Sequence, residues 1–236
     1  MKPLIVANWK ANKTISETIG WVNQTKTTLE EAKNVEIVIC PPFTALPALA
    51  SLLIDSPIKS GAQNVSDKPE GAFTGEVAAK MLSGLASHCI VGHSERRRYY
   101  GEKEDQVGQK VKNLVEQNIT PVLCISDINQ MDNYLAANEN FKQNASKIVF
   151  VYEPPSAISG GGDYHPESPE EASLNAAKIS EKIGSEVVTL YGGSVSEADV
   201  DKFLAQKNIN GVLVGKASLT AETFIQLVQK ANNLVL

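Results

Sequence analysis

Short apolar runs alternate with longer stretches of mixed polarity along the whole chain, and the alternation repeats eight times. The apolar runs predict strands at residues 4–8, 36–40, 58–63, 88–91, 120–125, 148–152, 186–191 and 211–214. Most of these runs are continuously apolar, which is typical of parallel strands buried on both faces. No linker or shift in composition interrupts the pattern, so we expect a single domain over residues 1–236.

A helix is predicted after each strand. The first is expected to be capped by Ser16 and to run to about residue 33. The others are predicted at 44–54, 76–85, 104–118, 131–145 and 169–183, then from a Ser196 cap to about 205, and at 221–232 after a Thr220 cap. Eight strand–helix units predict a closed (β/α)8 barrel, whose active site would be built at the carboxyl ends of the strands.

A doubly wound open sheet is the alternative to the barrel. Such a sheet normally has a glycine-rich phosphate loop directly after its first strand. Here that position holds Asn8, Trp9 and Lys10, which are not residues of such a loop. The sequence therefore favours the barrel over a nucleotide-binding open sheet.

Composition and charge exclude several classes of function. The net charge is -5 and the isoelectric point about 5.3, so bulk binding of nucleic acid is not expected. No apolar run approaches the ~20 residues of a membrane-spanning helix. Cys40, Cys89 and Cys124 are far apart and each lies in an apolar run, which indicates reduced thiols in a cytoplasmic protein without a disulfide or a metal site.

Polar residues and glycine turns stand where the predicted strands end. They are Asn8 and Lys10 after the first strand, His93 and Glu95 after the fourth, Glu153 after the sixth, and the turns Gly192-Gly193-Ser194 and Gly215-Lys216 after the last two. In a barrel all of these would face one cavity. A carboxylate base, an imidazole, an ammonium and exposed backbone N–H groups fit proton abstraction next to a carbonyl in a small phosphorylated substrate.

Each of these residues also has a plainer interpretation. Lys10 could be an exposed lysine, His93 a hydrogen-bonded structural histidine, and the glycine pair simple turn residues. The basic run at 96–98 could bind an anion, although such a run is more often salt-bridged or solvated. Cys124 fits a packing thiol better than a nucleophile. The functional hypothesis rests on the joint occurrence of the polar residues.

The stretch 148–162 has the pattern of a lid. Glu153 ends the strand, Pro154 and Pro155 stop it, and Gly160, Gly161 and Gly162 close the segment. A stiff segment and a flexible one beside a carboxylate would let a loop close over a substrate. The alternative is an ordinary connection between a strand and a helix, with a solvated glutamate.

Several motifs together resemble the triosephosphate isomerase family. They are Ala7-Asn8-Trp9-Lys10, Gly61-Ala62-Gln63-Asn64, Gly71-Ala72-Phe73-Thr74-Gly75-Glu76, Val91-Gly92-His93-Ser94-Glu95-Arg96-Arg97, Tyr152-Glu153-Pro154, Tyr191-Gly192-Gly193-Ser194-Val195 and Gly211-Val212-Leu213-Val214-Gly215, in the family's order. The resemblance implies the interconversion of dihydroxyacetone phosphate and D-glyceraldehyde 3-phosphate in glycolysis and gluconeogenesis, without a metal or cofactor.

The resemblance also implies a role for each residue of the predicted site. Glu153 would be the base, His93 the electrophile that polarises the carbonyl, and Lys10 a positive charge for the phosphate and the enediolate. Asn8 would place oxygens, and Glu95 would pair with a cation of the site. The phosphate would be held around Ser159, Gly192, Gly193, Ser194, Gly215 and Lys216, and Tyr191 and Ser194 would latch the lid. Gln63, Asn64 and Thr74 would belong to a loop that inserts into a second subunit, so a homodimer is implied.

Some residues depart from the family's usual pattern. Ser156 stands where a tryptophan is usual, and Pro155 adds a second proline to the first hinge. Ser159 and Lys216 both replace glycines. These changes leave the residues implied for the isomerisation in place and fall mainly in the lid. Two alternatives remain. One is an isomerase of a four-carbon sugar phosphate. The other is a non-catalytic binding barrel, which would be expected to have lost its catalytic residues, whereas this sequence retains all of them.

Overall fold

The computed structural model of the chain describes residues 1–137, 141–157 and 167–234. In this part of the chain, eight parallel strands close into a barrel in sequence order. The strands are β1 Leu4–Asn8, β2 Glu36–Cys40, β3 Lys59–Ala62, β4 His88–Val91, β5 Thr120–Ile125, β6 Val149–Tyr152, β7 Thr189–Tyr191 and β8 Gly211–Val214. Closure is direct, because β1 pairs with both β2 and β8. The predicted barrel is confirmed and the open sheet is wrong.

Both faces of the strands are buried, and alternation assigns each residue to one face. Val149 and Val151 of β6 belong to a cluster of strand residues that fills the barrel. Phe150 and Tyr152 of the same strand belong to the larger cluster between the barrel and its helices. Glu153 continues the inward row of β6, which directs it to the mouth of the barrel.

The helices surround the sheet. They are α1 Ile15–Glu31, α2 Leu46–Leu52, α3 Ala79–Leu82, α4 Ser94–Tyr100, α5 Glu104–Glu116, α6 Gln130–Ala137, α7 Pro169–Ile183, α8 Val200–Leu204 and α9 Ala221–Asn232. The bounds of α7 and α9 are those predicted. Within the described ranges, no helix combines the length and the apolar character that crossing a membrane would require.

Two of the expected helix caps were wrong. Thr14, not Ser16, caps α1, because its hydroxyl accepts the Glu17 N–H at 3.3 Å while the Glu17 carboxylate accepts the Thr14 N–H at 2.7 Å. Helix α8 starts after Asp199 rather than at Ser196. Ser196 instead donates its N–H and hydroxyl to Asp199 Oδ1, at 2.8 and 2.9 Å, in a turn before the helix.

Three other helices differ from expectation. Helix α3 has one turn instead of the predicted 76–85, because the Val77 carbonyl accepts the Ser66 N–H at 2.8 Å and Gly84 turns left-handed. Residues 141–144 form turns rather than the end of the helix predicted at 131–145. Helix α4 was not predicted, since it buries no side chain and so has no apolar period.

Candidate active site

The polar residues predicted at the strand ends line one cavity at the carboxyl end of the barrel. Those found there are Asn8, Lys10, His93, Glu153, Gly192, Gly193, Ser194, Gly215 and Lys216. Glu95 lies beside them through its contact with Lys10, and Tyr191 lies directly under Gly193. Ser159 and Gly160 to Gly162 lie outside the described residues. The structure thus brings together the described members of the predicted set.

Lys10 adopts a left-handed backbone conformation, with φ of 52°. This conformation is held by neighbours: Asn8 Oδ1 accepts the Lys10 N–H at 3.0 Å, and the Gln63 amide donates to the Lys10 and Cys40 carbonyls at 2.9 Å each. The ammonium lies 2.6 Å from Glu95 Oε1. A left-handed lysine costs about 1–2 kcal/mol, which these contacts offset.

His93 is the N-cap of α4, and this position assigns its two ring nitrogens. The Glu95 N–H donates to His93 Nδ1 at 3.3 Å, so Nδ1 is the acceptor. Nε2 therefore carries the proton of the neutral ring, and it faces Glu153 Oε1 at 3.0 Å. Gly92 permits the sharp turn before the ring, since its φ is +67°.

Glu153 is 1% exposed, and polar groups hold it on one side of the cavity. Ser94 donates its backbone N–H to Glu153 Oε2 at 3.2 Å and its hydroxyl to Oε1 at 3.0 Å. Together with His93, these donors favour the ionised form of the carboxylate. In this parked position, Glu153 lies against β4 and α4.

The contact between His93 and Glu153 moves the pKa values of both groups. Burial alone would raise the pKa of Glu153, but His93 and Ser94 favour the charged form and together lower the pKa below its ordinary value. Burial likewise disfavours a charged His93, yet Glu153, with a smaller effect of Glu95, raises the pKa of the imidazole. With its pKa lowered, Glu153 in the parked position is a weaker base than a free glutamate.

The glycines after β7 and β8 make room for the side chains of Glu153 and Lys10. A Cβ at Gly192 would meet Val151 Cγ1 at 2.5 Å and Glu153 Cβ at 3.2 Å. A Cβ at Gly215 would lie 3.3 Å from Cε of Lys10. Both residues line the cavity, so their backbone approaches any ligand that occupies it.

Tyr191 and Ser194 lie beside the described start of the predicted lid. Pro155–Ala157 forms a 3-10 turn, and the Ser194 N–H donates to the Ala157 carbonyl at 2.8 Å. Tyr191 is buried and stacks on Phe203, with ring centroids 4.5 Å apart. The structure thus joins the turn after β7 to the beginning of the 153–167 connection.

In the basic run at 96–98, Arg96 and Arg97 make structural contacts within the chain. Arg96 pairs with Glu102 at 2.9 Å, and Glu102 also binds Lys110. Arg97 donates to the Gly92 carbonyl at 2.8 Å. These contacts agree with the salt-bridged interpretation of the run.

The three residues expected at a subunit interface occupy different surroundings. Gln63 supports Lys10 within its own chain, and Asn64 Oδ1 accepts from Lys110 Nζ at 2.8 Å. Thr74 is exposed, next to the partly exposed ring of Phe73. Gln63 and Asn64 also line a second cavity of about 320 Å³ that opens beside Lys10.

Of two neighbours of Glu153, Ser94 escaped prediction from the sequence and Cys124 was predicted as a packing thiol. Ser94 follows His93 directly, and its only signal was a hydroxyl at the start of an unrecognised helix. Cys124 is fully buried; burial, and then the adjacent Glu153 carboxylate, raise its pKa well above the ordinary value. An unreactive thiol agrees with the packing role expected for Cys124.

A carboxylate, an imidazole and an ammonium at the mouth of a (β/α)8 barrel define the class: an enzyme of acid–base chemistry on a small substrate. A family model described as "Triosephosphate isomerase" matches residues 3–231. The triosephosphate isomerase of Endomicrobium trichonymphae is 38% identical over 245 residues, covering 97% of this chain and 98% of the relative. That of Dictyoglomus turgidum is 37% identical, with coverage of 97% and 99%.

A solved structure gives the same result. The crystal structure of triosephosphate isomerase from Bartonella henselae matches with a TM-score of 0.83 and 27% identity, over 98% of this chain and 99% of that one. The chain belongs to the triosephosphate isomerase family.

Proposed function

We propose that this enzyme interconverts dihydroxyacetone phosphate and D-glyceraldehyde 3-phosphate through an enediolate, in glycolysis and gluconeogenesis. The observation that carries the proposal is the meeting of Glu153, His93 and Lys10 in one cavity, with the glycine turns of β7 and β8. Family membership supports a triose rather than a four-carbon sugar as the substrate.

Glu153 is the base that moves the proton between the two carbons. To reach a substrate carbon it exchanges the Ser94 hydroxyl and N–H for the substrate. Losing these donors removes influences that lower its pKa and leaves burial dominant, so the carboxylate becomes a stronger base as it approaches the carbon. The parked state and the reacting state therefore differ in basicity as well as in position.

His93 polarises the carbonyl through Nε2–H and exchanges protons with the two oxygens. When Glu153 leaves it, the main influence that raises the pKa of His93 is gone, while burial and Lys10 continue to lower it. The ring then acts as a neutral donor, with Nδ1 still bound to the Glu95 N–H. Lys10 supplies positive charge to the enediolate and phosphate, Glu95 orients that ammonium, and Asn8 helps to place the oxygens.

The phosphate is held at the far end of the same cavity. The binding groups are the backbone and side chains of Gly192, Gly193, Ser194, Gly215 and Lys216. Ser159, which lies outside the described residues, is assigned to the phosphate by its place in the lid motif. Tyr191 and Ser194 hold the closed lid, and the Ser194–Ala157 hydrogen bond supports that role. The reaction uses no metal or cofactor.

We further propose a single-domain enzyme over residues 1–236 that works as a cytoplasmic homodimer. The exposed loop around Thr74 and the cavity lined by Gln63 and Asn64 are complementary features of such a dimer. The three cysteines are buried free thiols, which suits a reducing compartment.

A coupled assay of Glu153→Gln and Glu153→Asp tests the function. We expect Gln to lower kcat by about three orders of magnitude or more, because the amide cannot accept a proton, and Asp to be impaired because its carboxylate is one carbon short. Glu116→Gln, an equal loss of charge on the exposed side of α5, is the control. Unchanged turnover of glyceraldehyde 3-phosphate by Glu153→Gln, or a higher kcat/KM for a four-carbon substrate, would overturn the proposal.

A further inference from the structure

Tyr152 precedes the base and points the opposite way. Alternation along β6 directs Glu153 to the mouth of the barrel and Tyr152 into the layer between sheet and helices. The ring is 6% exposed, and its hydroxyl donates to Glu167 Oε1 at 2.8 Å. Burial, and then the Glu167 carboxylate, raise the pKa of Tyr152, so the phenol remains a donor over the working pH range.

Glu167 depends strongly on this hydrogen bond. Its Oε2 is enclosed and has no hydrogen-bond partner among the described residues. Within the described part of the chain, the other donor to Oε1 is Asn175 Nδ2, at a long 3.5 Å. A buried carboxylate oxygen that loses a close donor is costly, so the geometry of Tyr152 and Glu167 is tightly coupled.

The pair joins the two ends of the connection that contains the base. Glu167 directly precedes Ser168, which caps α7 and forms a capping box with Glu171. Tyr152 ends β6. The hydrogen bond therefore ties the carboxyl end of the strand to the residue before the cap of the following helix, fifteen positions further along the chain.

The backbone around Glu153 has two further constraints, both within the sheet. The Glu153 N–H donates to the Ile125 carbonyl at 2.9 Å, and the Tyr152 carbonyl accepts the Gly192 N–H at 2.8 Å. Both lie within the sheet, whereas the Tyr152–Glu167 hydrogen bond links the strand end to the start of α7.

We propose that Tyr152 and Glu167 are a positioning pair that keeps the Cα of Glu153 in place while its side chain moves between Ser94 and the substrate. The inference rests on the proposed role of Glu153 as the base. Proton transfer needs the carboxylate within hydrogen-bond reach of the carbon, and a displacement of about 1 Å can cost up to two orders of magnitude in rate. Substrate affinity is set mainly at the phosphate end, so KM is largely independent of the pair.

Four variants of the whole enzyme test the pair. Tyr152→Phe removes only the hydroxyl, and Glu167→Ala removes the acceptor. Glu167→Gln keeps an acceptor oxygen at the same place and is the rescue variant. Glu171→Ala is the matched control, since it weakens the cap of the same helix without touching Tyr152. For each variant we would measure kcat and KM in both directions of the isomerisation, and the midpoint temperature of thermal unfolding.

We expect Tyr152→Phe and Glu167→Ala to lower kcat about tenfold, with KM within twofold of the wild type, because the pair acts on geometry and not on phosphate binding. Glu167→Gln should keep kcat within about threefold, and Glu171→Ala should lose stability but not kcat. The inference is overturned if Tyr152→Phe retains the wild-type kcat, or if Glu171→Ala lowers kcat equally. An inactive wild type would instead refute the proposed function, so the two failures are distinguishable.

Discussion

His88 makes the free energy of unfolding depend on pH, because its buried surroundings lower its pKa. It lies at the start of β4, 8% exposed, with Nδ1 2.8 Å from the Ser87 hydroxyl. Burial, followed by the charge of Lys59, lowers the pKa of His88 from 6.5 to about 4. Between pH 6.5 and pH 4, His88 is protonated in the unfolded chain but mostly neutral in the folded chain, so the stability of the fold decreases as the pH falls.

The difference of pKa converts to a free energy. At 1.36 kcal/mol per pH unit it corresponds to about 3 kcal/mol in total, of which about 2.5 kcal/mol is lost between pH 7.5 and pH 4.5. His88→Asn keeps a polar group near Nδ1 but cannot be protonated. We therefore expect the variant to lose less stability over that range than the wild type, by about 2.5 kcal/mol, whatever its stability at pH 7.5.

Urea unfolding at fixed protein concentration measures this difference. Fluorescence is a suitable probe, since the only two tryptophans, Trp9 and Trp21, are both buried. Carboxylates that titrate in the same range affect both proteins equally and cancel in the comparison. Equal losses of stability in the variant and the wild type between pH 7.5 and 4.5 would refute the assignment of a neutral, buried His88.

Three further predictions concern the site. Ser94→Ala removes a 3.0 Å donor from Glu153 and should raise its pKa, moving the acid limb of kcat/KM to higher pH; a limb at the wild-type pH would contradict the parked geometry. Gly192→Ala places a Cβ 2.5 Å from Val151 Cγ1, so kcat should fall at least about tenfold as Glu153 is displaced, and normal turnover would show that the turn adapts freely. Lys216→Ala should raise KM about threefold at low salt and less at 0.5 M salt, and a salt-independent KM would place this ammonium away from the phosphate.

Strands and helices with a clear local sequence pattern were predicted accurately, and elements without one were missed. The strands β4, β5 and β8 were predicted to the residue because continuous apolar runs are a local property. Helix α7 was equally clear, since Pro169 stands at its start and Gly184 just past its end. Helix α4 was invisible because its cap is a histidine and its side chains stay outside the core.

The residues of the site could be predicted from the sequence, but the position of Glu153 and its hydrogen-bond partners could not. Its members are named by motifs at strand ends, and the barrel alone brings strand ends together. The parked position of Glu153 depends on Ser94, 59 residues earlier, which no local pattern connects to it. The Tyr152–Glu167 pair likewise depends on how the 153–167 connection returns to the strand.

The left-handed backbone of Lys10 sets stability against activity at a single position. Glycine would accept φ of 52° without strain, and such a replacement is typically worth up to about 1 kcal/mol of stability where the native conformation suits it. The same replacement deletes the ammonium that, in the proposed reaction, stabilises the enediolate and the phosphate. Selection of variants for thermal stability alone would thus favour Lys10→Gly, which would lose activity. Thermostable variants therefore have to be screened for turnover in the same round.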